Sequence, residues 1–318
     1  MPDPRCRRRK SAAAAVSPGH RPPDGHPGLA RGARAWANSG DAARPPRPGR
    51  MTKYLQVFSL GIQNALVYRV NFFFRATFGL VPLLATLYLW RAIYASNPDR
   101  PDVAGYTLSG MISYYLVMTV VDALTGVTED DWQIAADIRE GRISQFLLKP
   151  MDYLTYRLSL FAAGRVVYTA AALIPVGLFV ALQHRHVVGP PDALHLAAFV
   201  VSVALTALLQ FLISYTMALL AFWLLEISTF IFILFAFEYI AGGHLFPLDI
   251  LPPGLLAVLQ FTPFPYQLYF PVGVYLGRIQ DAELVRGLAV QAAWVVGVYG
   301  LARWVWARGI KHYSAAGG

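Results

Sequence analysis

Six apolar runs, each long enough to cross a lipid bilayer, constrain the fold of this chain more than any other feature. About 20 consecutive apolar residues are enough for a membrane-spanning helix. Charged residues make up only 14% of the 318-residue sequence, whereas soluble domains carry roughly 25%. The sequence therefore predicts an all-α polytopic membrane protein. The predicted spans cover residues 70–94, 104–127, 158–182, 193–225, 227–243 and 284–305.

Residues 1–50 differ in composition from the rest of the chain. They hold nine prolines and 11 of the 27 Lys and Arg residues, with no apolar periodicity. Such a segment cannot bury a core, so we predict a disordered Pro/Arg-rich extension. It resembles a mis-assigned start, with Met51 as the true initiator; the alternative is that the basic run at 7–10 contacts anionic lipid. Residues 51–318 form the predicted transmembrane domain.

Two further segments are predicted to be helical without crossing the bilayer. Residues 54–69 place apolar side chains on one face and polar ones on the other, which predicts an interfacial helix on the membrane surface. Between spans 5 and 6, prolines divide residues 244–278 into apolar stretches that are too short to span. We predict two short re-entrant or interfacial helices there, because irregular backbone at membrane depth must be satisfied by protein or water.

The segment 131–150 is a charged island between spans 2 and 3. Its apolar residues recur with helical spacing, as expected for a helix with water on one side and an apolar surface on the other. Gly141 lets the chain bend after Glu140, and Pro150 ends the helix. This pattern fits either a docking helix for a soluble partner or an ordinary solvated helix. Its charged residues are Asp131, Asp137, Arg139, Glu140, Arg142 and Lys149, and its apolar face includes Ile134, Ile138, Ile143, Phe146 and Leu147.

The distribution of Lys and Arg predicts the orientation. With both termini inside, the inner segments after residue 50 hold 11 Lys and Arg residues and the outer segments hold five. The positive-inside rule then places both termini and the charged island in the cytoplasm. After residue 50, 16 basic residues face 15 acidic ones, so nucleic-acid binding has no support.

Some acidic residues lie in or beside apolar spans. Glu238 is embedded in span 5, where an ionisable group usually faces a cavity or a partner; it either attracts a cationic substrate or is a structural carboxyl paired with His244 or Arg278. Asp122 and Tyr115 belong to a polar stripe on span 2, which indicates helix packing or a pore wall. Asp122 alternatively faces only the lipid headgroups. Glu226 lies at the predicted turn between spans 4 and 5, beside Ser228 and Thr229, which can cap the next helix. It has either this interfacial capping role or a role in transport.

The sequence holds no motif for catalysis or nucleotide binding that we recognise. It contains no G-x-x-x-x-G-K-[ST] phosphate loop. Its single cysteine, Cys6, rules out an intrachain disulfide, and its histidines lack metal-ligand spacing. We therefore predict no catalytic residue, no metal site and no cofactor bound by this chain.

Two sets of motifs resemble the permease subunits of bacterial ABC-2 type transporters. The first is residues 137–141 with Leu147-Leu148-Lys149-Pro150, and the second is residues 242–247 with 264–266. The resemblance covers residues 51–313. It implies six spans with the topology of ABC-2 (type V) exporters, an N-terminal interfacial helix, and broken outer helices between spans 5 and 6.

The resemblance also implies partners and roles. The chain would be a permease in the bacterial inner membrane that exports an amphipathic or hydrophobic substrate (a drug, organic cation, lipid or glycan). A separate ABC subunit would bind ATP and Mg²⁺, and a second permease subunit would complete the complex. Residues 130–148 would couple to the ATPase, with Ile138, Ile143 and Phe146 filling a groove in it.

Two other functions remain open, an ion-coupled secondary transporter and an integral membrane enzyme. The first would use Glu238 as its intramembrane charge, and the second would need a cluster of reactive side chains. The predicted substrate path is Glu238, Asp122 and Tyr115. The predicted outer gate is Gly243, His244, Phe246 and Pro247.

Overall fold

The computed structural model describes residues 50–96, 102–127 and 130–313, with the backbone alone at Arg50, Asp130 and Asp131. The predicted extension at residues 1–50 lies almost wholly outside this range. Five helices are long and apolar enough to cross a membrane. They are α2 (Arg69–Ser96), α3 (Leu108–Thr125), α6 (Tyr153–Leu182), α7 (Ala193–Ala218, extended by a 3₁₀ turn at Leu219–Phe222) and α11 (Asp281–His312).

The predicted fifth span is shorter than the sequence suggested. Helix α8 covers only Ser228–Ala241, 14 residues. At 1.5 Å per residue it is about 21 Å long, whereas the hydrocarbon core is about 30 Å thick. Among the described residues, five helices are therefore long and apolar enough to be the predicted spans, and the sixth stays a prediction.

The segment predicted to lie on the membrane is a separate helix. Helix α1 (Arg50–Val67) ends at a turn at Tyr68 and packs along α6. A Cβ atom at Gly61 would lie 2.7 Å from Cβ of Ala163, so the two helices approach closely there. The position of α1 relative to the bilayer stays a prediction.

The start of span 2 was predicted wrongly. Residues 102–103 and 106–107 form strands β1 (Asp102–Val103) and β2 (Tyr106–Thr107), which pair antiparallel. Ala104 (φ 51°) and Gly105 (φ 75°) form their turn, and positive φ at both central residues is what a tight hairpin requires. Helix α3 starts only at Leu108, where Thr107 caps it by accepting a hydrogen bond from the Gly110 amide.

The charged island is two helices rather than one. Helix α4 (Asp130–Arg139) and helix α5 (Arg142–Leu147) meet at Gly141, whose φ is 78°. This left-handed conformation is easily reached only by glycine, so the predicted bend is confirmed. We call residues 130–149 the elbow.

The predicted short helices between spans 5 and 6 are also present. They are α9 (Pro253–Leu259) and α10 (Tyr269–Tyr275), with 3₁₀ turns at Leu248–Ile250 and Phe264–Tyr266. Asp249 fixes this segment to the hairpin by accepting hydrogen bonds from the hydroxyls of Tyr106 (2.8 Å) and Tyr269 (2.7 Å).

Apolar side chains pack in two main clusters. One joins α2, α3 and α10, and the other joins the elbow to α6, α7 and α11. The elbow therefore packs directly against those long helices.

Candidate functional site: the elbow and a cavity containing two carboxylates

The apolar face of the elbow packs against its own chain. Ile134 and Ile143 are fully buried, and Ile138 and Phe146 are nearly so. All four belong to the cluster that contains α7 and α11. The chain's own helices therefore cover Ile138, Ile143 and Phe146, which counts against the prediction that these residues fill a groove in a partner.

Asp137 also points into the protein. Its carboxylate accepts hydrogen bonds from Nε of Arg142 (2.9 Å) and from the hydroxyl of Tyr153 (2.8 Å). Arg157 of α6 lies 3.6 Å away, and Arg142 also pairs with Glu140. Asp137 thus fastens the elbow to α6, and Arg142 connects the two helices of the elbow. For Asp131 only the backbone is described, so its predicted role is untested.

A different set of elbow residues faces outward. Leu148 is 87% exposed and Leu147 is 49% exposed, and both directly follow the buried Phe146. Arg139, Glu140 and Lys149 of the elbow are also exposed. We call Arg139, Glu140, Leu147, Leu148 and Lys149 the outer elbow face. Leu147, predicted on the buried apolar face, is thus half exposed instead. Leu148 was assigned no role from the sequence, although two consecutive leucines on an amphipathic helix cannot both face the core.

Two contacts connect the elbow to other parts of the chain. Arg139 donates a hydrogen bond to the carbonyl of Leu225 (3.0 Å), just before α8. Ser144 Oγ lies 2.9 Å from the hydroxyl of Tyr313, at the end of α11. Glu226 accepts hydrogen bonds from the amide and hydroxyl of Ser228, which confirms its capping role and lowers the pKa of Glu226.

Asp152 caps α6, the helix that follows the elbow. Its carboxylate accepts hydrogen bonds from the amide (3.0 Å) and hydroxyl (2.9 Å) of Thr155 and pairs with Arg303. Partial burial raises the pKa of Asp152, but the hydrogen bonds from Arg303 and Thr155 outweigh it and hold the pKa below its ordinary value of 3.8.

Replacing Asp152 tests this cap. We expect Asp152→Ala to cost about 1–2 kcal/mol, as for other lost caps, and Asp152→Asn to cost less because Asn also caps helices. Since folding lowers the pKa, the carboxylate stabilises the protein above about pH 4 and less as the pH falls through the folded pKa. Thermal unfolding in detergent from pH 7 to 3 should show this decline in the wild type and a smaller decline in both variants. Identical pH profiles would contradict it.

A second group of functional candidates lies where α3, α7 and α8 meet. His244 Nε2 lies 3.2 Å from Oδ1 of Asp122, and Gln210 donates a hydrogen bond to Glu238 (3.3 Å). The four side chains line one cavity of about 290 Å³, which we call the acidic cavity. Asp122 therefore contacts the segment between spans 5 and 6, which counts against the alternative that it faces only headgroups.

The predicted partners of Glu238 need correction. Arg278 does not reach it; this arginine lies 3.7 Å from Asp249 and donates hydrogen bonds to the carbonyls of Gly105 and Ala104. His244 lines the same cavity as Glu238, but the direct hydrogen bond comes from Gln210. Gln210 was not among the predicted site residues, although a lone glutamine in the apolar run of span 4 already indicated a buried polar contact there.

The residues predicted as an outer gate are held against α3. The carbonyl of Gly243 accepts a hydrogen bond from the hydroxyl of Tyr114 (2.7 Å), and the carbonyl of Leu245 accepts one from Tyr115 (2.8 Å). Pro247 is buried and Phe246 is partly buried in the same cluster as α3. The structure thus brings Gly243 and His244 next to Tyr115 and Asp122, so the predicted gate and the predicted substrate path are adjacent.

Comparison with known proteins identifies one match. Residues 80–317 match the family model described as ABC-2 family transporter protein. The match includes the elbow, the acidic cavity and the segment between spans 5 and 6. Neither a curated protein nor a solved structure matches the chain.

Proposed function

Because the chain belongs to the ABC-2 transporter family, we propose that it is the permease subunit of an ATP-binding cassette exporter. It would move an amphipathic or hydrophobic substrate out of the cell with energy from ATP hydrolysed by a separate subunit. Family membership and the five membrane-length helices support a multi-pass permease. The elbow is the single structural observation that carries the proposal furthest, because it offers an exposed, partly apolar surface fastened to several long helices.

The outer elbow face fits a protein partner. An exposed apolar residue surrounded by charges is the pattern of a small interface with a hydrophobic centre and a polar rim. Leu148 would be that centre, with Arg139, Glu140 and Lys149 as the rim. The ATPase would then contact residues 139–149 and not the buried residues Ile138 and Phe146.

The elbow would transmit motion in a defined way. ATP-driven closure of two ATPase subunits would push the outer elbow face toward the membrane. Phe146 and Asp137 would pass this displacement to α6, Ser144 to α11, and Arg139 to the start of α8. Packed helices respond by shifting between discrete arrangements, so the acidic cavity would alternate between an inward-open and an outward-open state.

Further parts of the proposal follow from the family. A second permease subunit, identical or homologous, would pair with this chain. Both termini and the elbow would lie in the cytoplasm of a bacterial cell, with the segment 244–278 outside. The excess of Lys and Arg on the elbow side supports this orientation.

Charge reversal on the outer elbow face tests the proposal. We expect Arg139→Glu or Glu140→Lys, in the complex purified with its ATPase, to lower substrate-stimulated ATP hydrolysis at least five-fold. The wild-type side chain would pair with a charge of opposite sign on the ATPase, and the reversed charge would be repelled by it. The matched control is Arg185→Glu, an exposed arginine beyond the opposite end of α6. Its hydrolysis rate should stay near that of the wild type.

The same experiment separates the proposal from ion-coupled transport. The carboxylates of the acidic cavity are an observation that would suit an ion-coupled transporter. If both elbow reversals behave like Arg185→Glu, and transport stops with an ionophore but continues without ATP, the permease proposal is wrong.

A further inference from the structure

The acidic cavity has a one-sided charge. Asp122, Glu238 and His244 line it, together with Gln210 and Ser214. Among its lining residues there is no Lys and no Arg. A protonated His244 supplies one positive charge for two carboxylates, so one negative charge in the cavity has no cationic side chain to balance it. Uncompensated carboxylates in a partly buried site favour a positively charged ligand.

Polar atoms without partners provide a second, independent observation. The Gln210 side chain is 7% exposed, and its Oε1 atom finds no hydrogen-bond partner among the described residues. Oγ of Ser214, which lines the same cavity, is likewise unpartnered within the described part of the chain. Buried polar groups normally have partners. A ligand that donates N–H or polarised C–H groups would satisfy the Gln210 oxygen.

The remaining walls are apolar and aromatic. Tyr239 stacks on His244, with ring centroids 5.2 Å apart, and its ring provides a face that attracts cations. The volume of about 290 Å³ is at the lower end of the range for small-molecule sites. The apolar lining residues are Val127, Ile213, Met217, Ile231, Leu234 and Phe235.

The Asp122–His244 pair also borders a second cavity. That cavity has a volume of about 270 Å³ and lies toward α2 and α6, with Tyr115 and Tyr168 in its wall. Asp122, Tyr239 and His244 line both cavities. Separation of Asp122 from His244 would therefore connect the two and open a route past Tyr115.

We propose that the acidic cavity binds a small amphipathic organic cation, with its charged group between Glu238 and Asp122 and an apolar body of about one aromatic ring against Phe235 and Ile231. This inference deepens the proposed function by naming the substrate class, and it rests on that function only for the direction of transport. Glu238 is the principal charge partner, because Asp122 is already engaged by His244.

Binding of a matched pair of probes tests the site. The full chain in lipid nanodiscs is titrated with benzyltrimethylammonium and with neopentylbenzene, its uncharged carbon isostere. We expect saturable binding of the cation at least ten-fold tighter than that of the isostere. Glu238→Gln should abolish this preference, and Asp122→Asn should reduce it. Glu283→Gln, an exposed acid in the first turn of α11, should leave it unchanged.

The outcomes separate the site from the proposed function. Equal binding of cation and isostere to the wild type, or an unchanged preference in a folded Glu238→Gln protein, overturns the cation site. Folding of each variant is checked by its melting temperature, and Asp122→Asn gives a second reading if Glu238→Gln unfolds. Selective cation binding by a chain that never associates with an ATPase would keep the site and reject the exporter. A chain that associates with an ATPase but shows no cation selectivity would keep the exporter and reject the cation site.

Discussion

We expect the Gly243→Ala substitution to lower the melting temperature of the protein by about 5–10 °C. Gly243 has φ 93°, a conformation that costs other residues about 1–2 kcal/mol. An added Cβ would also lie 2.6 Å from the Tyr114 hydroxyl and 3.3 Å from Cβ of Tyr269. Overpacking of this kind costs about 1–3 kcal/mol, and a loss of 2–4 kcal/mol corresponds to several degrees in a chain of this size.

The tyrosine cannot move aside easily. Tyr114 is fully buried and donates its hydroxyl to the carbonyl of Gly243 itself, so relief of the clash breaks a buried hydrogen bond. The matched control is Gly297→Ala in α11, where an added Cβ meets nothing within 4 Å. Ala is favoured over Gly inside helices, so this control should be neutral or slightly stabilising. Equal melting temperatures for the two variants would show that the Gly243 turn is not held as described.

The second large effect concerns assembly. We expect Leu148→Asp to reduce the amount of ATPase that purifies with the permease at least ten-fold. Leu148 is 87% exposed, so the substitution should change the stability of the permease little. At the centre of an interface, however, the new carboxylate would lose its hydration without gaining a charged partner, which weakens binding. Such centres carry most of the binding free energy of an interface.

The control for Leu148→Asp introduces the same carboxylate at the opposite end of α6. Val188 is exposed in the loop between α6 and α7, so Val188→Asp should retain the ATPase. Retention by Leu148→Asp as well would mean that the ATPase contacts a different surface. Loss in both variants would point to a general defect in membrane insertion, which surface labelling of the permease detects.

Features set by local chemistry were predictable from the sequence. The five long helices follow from uninterrupted apolar runs. The bend at Gly141 and the end of α5 before Pro150 follow from residues whose backbone preferences act over one or two positions. The capping of α8 by Glu226 was predictable for the same reason, because it involves only neighbouring residues.

Features that depend on what covers a surface were not predictable. The periodicity of the elbow shows that Ile138, Ile143 and Phe146 share a face, but the same pattern results whether a partner or the chain's own α7 and α11 cover it. Here the chain covers them, and the exposed apolar surface is at Leu148.

The acidic cavity depends on contacts between distant residues. His244 and Asp122 are 122 positions apart, and they meet because α8 ends at Ala241 and not farther along the apolar run. The sequence predicted this end, at residues 242–243, but it did not indicate which residue of α3 would lie beside His244. Glu238 was recognised as a candidate from the apolar residues around it in the sequence. Its hydrogen bond from Gln210 could not be predicted, because that bond depends on how α7 packs against α8.

The central claim is that this chain is driven by a separate ATP-binding subunit. It is tested most directly by gentle purification of the full chain from its own cells and mass spectrometry of the proteins that elute with it. We predict a stoichiometric subunit that carries a G-x-x-x-x-G-K-[ST] phosphate loop, and its loss in the Arg139→Glu and Leu148→Asp variants. If the intact chain elutes without such a subunit even after crosslinking, the claim is contradicted and Glu238 becomes the candidate for ion coupling.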